Sequence, residues 1–161
     1  MEEWHILLYV LKKYLITKHK GVDWTVLSEW MWKATSEYWD EWADKFIEIV
    51  PEYLYEFDSF EESSFEYITE EEYNYFSNLF KDNSDEIDGL LKKLLELEEV
   101  YCYTSIPGKG RESIQIVLNM CNILKNAGID LPDPGIVSFS SFNEKNGWGE
   151  DFDGRKLSLI L

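Results

Sequence analysis

The sequence predicts a mainly α protein: a single domain over residues 1–161, forming a bundle or irregular array of about five or six helices with an extended, loop-rich C-terminal segment. Three observations carry this. Apolar residues recur at helical spacing along most of the chain up to Ala127. The punctuation is helical too, with a T-x-x-E box at Thr69–Glu72 and glycines at 21 and 128 where periodic runs stop. After Gly128 the texture changes to LPDPG, VSFSSF and NGWGEDFDG, which lack that period. Residues 1–128 are therefore expected to be a helical body. Residues 129–161 are expected to be a tail that docks on it through its apolar end, KLSLIL.

Taken in order, residues 2–18 read as a well-buried helix with Trp4, Leu7, Leu8, Leu11, Tyr14 and Leu15 inward, ended by Gly21. Asp23 is expected to cap a second helix running toward Val50. Its stripe is Leu27, Met31, Ala34, Tyr38, Trp42, Phe46 and Ile49, with a break near Thr35-Ser36. Trp24, Trp30, Trp32, Trp39 and Trp42 spread around it, as core and rim rather than as a ligand-stacking wall. Pro51 closes this segment or opens a short turn through Leu54. Residues 57–68 have no clean period and read as a loop with one helical turn. The box at Thr69 starts a helix through Phe80, with Tyr73, Phe76 and Phe80 inward. Asn83 or Ser84 caps the next, which carries Ile87, Leu90, Leu91, Leu94, Leu97 and Tyr101. The last helix, 111–127, is expected to turn Ile114, Val117, Leu118, Cys121 and Leu124 inward.

Apolar residues make up 45% of the chain, too many for a disordered acidic tail. The net charge of −17 argues against direct binding to nucleic acid, whose phosphates would be repelled, and favours a cationic partner. That charge is lopsided. Residues 1–20 sum to +2, residues 21–99 to −18 and residues 100–161 to −1. HILLYVL is flanked by Glu2, Glu3, Lys12 and Lys13, and fits neither a signal peptide nor a membrane span. A cytoplasmic protein that does not bind membrane is expected. Cys102 and Cys121 match no zinc spacing and read as buried free thiols.

The densest feature is EFDSFEESSFEYITEEE, residues 56–72, with eight carboxylates and no basic side chain. Rings lie among them. The candidate partner-binding residues are Glu56, Asp58, Phe60, Glu61, Glu62, Phe65, Glu66, Tyr67, Glu70 and Glu71. A plain solvated face competes with this reading, but such faces usually mix both signs, because a one-sign field weakens the fold. Drawing in a positive partner is the use that best offsets that weakness, and Phe or Tyr anchors then add contact area at low entropy cost.

Other motifs are weaker. PGKGRES (107–113) lacks the P-loop pattern and its preceding strand, and reads as a turn opening a helix. Glu150, Asp151 and Asp153 beside Trp148 are hard donors, but the full calcium-loop pattern is absent. No arrangement of nucleophile and base, and no metal or cofactor motif, emerges, so a non-enzymatic protein without cofactor is expected.

Size, charge and the stretch around Glu61, Glu62, Phe65, Glu66 and Tyr67 resemble, by general type, small acidic bacterial immunity proteins that neutralise toxins of contact-dependent or polymorphic systems. The resemblance implies a complex with one cognate cationic protein toxin, such as a nuclease, blocked by occlusion, and a monomer when isolated. A phage-encoded nucleic-acid mimic acting on a defence nuclease would share this physics, although such mimics spread acids over most of their surface. The rival from another class is a sugar- or calcium-binding module or enzyme, with its site at residues 148–153.

Overall fold

The computed structural model describes residues 2–35, 39–103, 111–131 and 133. Among these the regular structure is helical: α1 (Glu2–Lys18), α2 (Thr25–Trp32), α3 (Trp39–Ile47), α4 (Pro51–Leu54), α5 (Glu70–Phe80), α6 (Ser84–Tyr103) and α7 (Arg111–Asn126). Short 3-10 turns occupy Lys33–Thr35 and Phe60–Glu62. The mainly α expectation holds. The helix number exceeds it because the long second segment divides after Trp32 and because Pro51 opens a helix of its own. The expected strand VSFSSF, the tail KLSLIL and the Trp148–Asp153 group lie outside the described residues.

The chain forms two compact units, Met1–Glu37 with Ser105–Leu161, and Tyr38–Thr104. In the first, α1 packs on α7 and on α2. Trp4, Leu7, Leu8, Val10, Leu11, Tyr14 and Leu15 of α1 are buried, as the helical spacing anticipates. Asp23 does not take the expected cap position. Ser28 N–H donates to Trp24 O, which makes Trp24 the cap residue, while Asp23 Oδ1 accepts Thr25 N–H at 2.9 Å in an Asx turn one step earlier. Hydrogen bonds from Thr25, first from its side chain and then from its backbone N–H, hold the Asp23 carboxyl below its ordinary pKa of 3.8.

The inward face of α7 also differs from the expected one. Ser113, Ile116, Val117, Met120 and Leu124 are buried, whereas Ile114 and Leu118 are about half exposed, at 47% and 50%, and the free thiol of Cys121 is half-buried. Both stripes have helical spacing, so the choice rests with the surface α7 meets, namely α1. The end of α7 is a Schellman motif: Ile129 N–H donates to Leu124 O and Gly128 N–H to Lys125 O, with Gly128 at φ 70°. Ile129 is buried, as the apolar contact of that motif requires.

In the second unit α6 packs on α3 and α4, and α4 packs on α5. Ile87, Leu90, Leu91, Leu94 and Leu97 of α6 are buried with Trp42 and Phe46 of α3 and Tyr73, Phe76 and Phe80 of α5. Trp42 stacks on Phe46 at 4.6 Å and Phe76 on Phe80 at 5.6 Å. The four-residue α4 is too short to persist on its own. Its start is completed from α6, where Asp88 Oδ1 accepts Glu52 N–H at 2.8 Å. Lys92 then bridges Asp88 at 2.7 Å and Glu52 at 2.5 Å. This pairing raises the Lys92 pKa well above its ordinary 10.5.

Candidate functional site: an anchored acidic loop

Residues 55–69 connect α4 to α5 and belong wholly to the second unit. The sequence between Leu54 and Thr69 has no helical period, and its acids repel, so no long helix forms there. The expected single helical turn is the 3-10 turn Phe60–Glu62, closed by Ser63 N–H to Phe60 O and reinforced by Ser63 Oγ donating to the same carbonyl at 2.7 Å.

The loop is fastened at several points. Tyr55 Oη donates to Ser77 O of α5 at 2.8 Å, and Tyr73 Oη donates to Phe57 O at 3.2 Å. Phe57, Phe60 and Phe65 gather with Tyr73 in one ring cluster, with centroids 5.9–6.5 Å apart among them. At the exit, the predicted capping box forms. Thr69 Oγ1 accepts Glu72 N–H at 3.3 Å, and Thr69 N–H donates to Glu72 Oε2 at 2.8 Å.

The Glu48 carboxylate supplies the largest set of bonds. It accepts three consecutive backbone N–H groups, from Glu66 at 2.7 Å and from Tyr67 and Ile68 at 2.9 Å each. Reading the sequence missed this residue. The amides it holds lie 18 to 20 positions away, beyond any local pattern.

Ten acids lie between Lys45 and Lys81, and they divide into two sets. Glu48 and Glu72 bond backbone N–H groups, and Glu52 pairs with Lys92. The other seven are Glu56, Asp58, Glu61, Glu62, Glu66, Glu70 and Glu71, and all are exposed. Among the described residues none of the seven has a lysine or arginine within ion-pair reach. Glu70 and Glu71 also lie in the first turn of α5, where negative charge favours the helix dipole. Among the candidate rings, Tyr67 is 47% exposed, whereas Phe60 and Phe65 are half-buried in the ring cluster and offer only their outer edges.

The chain has no significant match among known protein families, curated proteins or solved structures. Among the described residues no group of three or more His, Cys, Asp or Glu is placed to hold a metal ion. A shallow cleft of about 650 Å³ lies between α4 and α6, lined by Pro51, Glu52, Tyr55, Lys81, Ser84, Asp85, Asp88 and Lys92. Three of its charges, Glu52, Asp88 and Lys92, are already spent on one another. Among the described residues no helix is long and apolar enough to cross a membrane.

Proposed function

We propose that this protein binds and neutralises a cationic protein toxin, a nuclease for preference, by covering it with the acidic loop of residues 56–71. One observation carries the reading: seven exposed carboxylates on and beside one anchored loop have, among the described residues, no lysine or arginine within ion-pair reach. Such a surface attracts a positive partner over a distance, and the attraction falls with salt. Tyr67 and the outer edges of Phe60 and Phe65 then supply short-range contact that slows dissociation. Because the loop is held by its own hydrogen bonds, little ordering entropy is lost on binding. Inhibition by coverage requires no catalytic residue, cofactor or metal, and a monomer suffices.

The test starts with crosslinking in the native cell and mass spectrometry, after which the captured partner is purified. A basic partner, inhibited on binding, is the expected result. The Glu62→Lys/Glu66→Lys double variant should associate with it at least about tenfold more slowly at low salt, with a flatter salt dependence. A neutral or acidic partner, or unchanged association by the double variant, rules the reading out.

A further inference from the structure

We propose that Glu48 is the positioning residue of this loop: an internal anion that sets the backbone from which Glu66 and Tyr67 are presented. The inference rests on the loop being the capture surface. Three N–H groups in a row converge on one carboxylate, with Oε1 taking Glu66 and Oε2 taking both Tyr67 and Ile68. Consecutive N–H groups that point to one side form an anion-binding concavity, and a carboxylate fills it with charge-assisted bonds. Here the anion comes from the same chain. Glu48 follows the last residue of α3, in a turn closed by Ile49 N–H to Phe46 O and Val50 N–H to Ile47 O, so its backbone is set by a buried helix end. The amides it gathers directly precede the Thr69 cap of α5, and Ile68 is buried. The latch thus ties the acidic loop to α3 on one side and to the α5 start on the other.

The arrangement separates two jobs among side chains of one chemical type. The Glu48 charge is turned inward onto backbone dipoles, whereas Glu66, whose own N–H it holds, keeps its carboxylate exposed. Without Glu48, these three N–H groups would turn to water and the loop would sample more conformations. Long-range attraction depends on net charge and would change little. The short-range fit of Tyr67 and Glu66 depends on loop shape and would weaken. Glu48 should therefore govern how long a partner stays more than how fast it arrives.

Two measurements decide this. Amide hydrogen exchange of Glu48→Ala and Glu48→Gln reads the latch without any partner. The expected result in Glu48→Ala is exchange about tenfold or more faster at Glu66, Tyr67 and Ile68, with α6 amides unchanged and Glu48→Gln intermediate. Binding of a deca-arginine peptide then reads the presentation. Glu48→Gln and the charge-matched control Glu99→Gln, an exposed position on α6 outside the loop, should both slow association only slightly, and only Glu48→Gln should speed dissociation. Unchanged exchange at the three amides overturns the inference, as does acceleration spread evenly over α5 and α6 in both variants, or equal dissociation of Glu48→Gln and Glu99→Gln. If the wild-type protein ignores the peptide, the capture reading fails, and amide exchange alone still decides whether Glu48 anchors the loop.

Discussion

Single side chains in this protein do their work mainly through backbone groups. Thr69 and Glu72 satisfy each other's N–H groups at the start of α5, and the same turn holds Glu70 and Glu71 near the positive end of the helix dipole. Thr69→Ala removes the cap and should lower stability by about 1 kcal/mol in urea denaturation, with the loss seen first in amide exchange at the start of α5. Tyr55 ties the loop entrance to Ser77. Burial first, then the neighbouring Tyr73 and Asp82, push its phenol above the ordinary pKa of 10.0. The folded state therefore holds this proton where the unfolded chain releases it. The stability linked to Tyr55 is full below about pH 10 and declines as pH rises beyond it. An alkaline titration followed by circular dichroism should show a flatter decline for Tyr55→Phe than for wild type, with somewhat lower stability at pH 7 from the lost hydrogen bond.

At the scale of elements, the ends of helices matter as much as their faces. α4 exists because Asp88 of α6 completes its first turn and Lys92 ties Glu52 to Asp88. α7 stops because Gly128 takes a left-handed conformation that other residues adopt only with strain. Two glycine substitutions should therefore move stability in opposite directions. Gly89 lies within α6, is exposed, and a β-carbon there meets nothing within 4 Å. Gly89→Ala should stabilise by about 0.5–1 kcal/mol through reduced freedom of the unfolded chain. Gly128→Ala, at φ 70°, should destabilise by about 1–2 kcal/mol. Urea midpoints of the two variants against wild type check both signs. The helices themselves were legible because α5 and α6 each have one dominant apolar stripe and α1 is apolar over most of its surface. In α7, Ile114-Leu118 and Ile116-Met120 are both plausible seams.

Across the whole molecule the net charge of −17 is a standing source of self-repulsion. Screening it should stabilise the fold, since acids far outnumber bases in residues 21–99 and repulsion there exceeds attraction. The melting temperature should rise from about 10 mM to about 150 mM sodium chloride, as the Debye length shortens from about 30 Å to about 8 Å. Seven charge-removing substitutions, glutamine at Glu56, Glu61, Glu62, Glu66, Glu70 and Glu71 and asparagine at Asp58, should remove much of that rise. By itself the sequence determined the helical class, the capping box, a break in the second helical segment, expected near Thr35-Ser36, and the loop with its acids, because periodicity, caps and charge act over a few residues. Tertiary structure alone decided which stripe α7 buries, why four residues after Val50 are helical, and that Glu48 belongs to the loop's framework rather than to its charged face. Each of these depends on a group from another element: α1 beneath α7, Asp88 at the start of α4, and amides 18 to 20 residues from Glu48. Contacts at such separation leave no periodic trace in the chain, and only folding brings them within hydrogen-bonding distance.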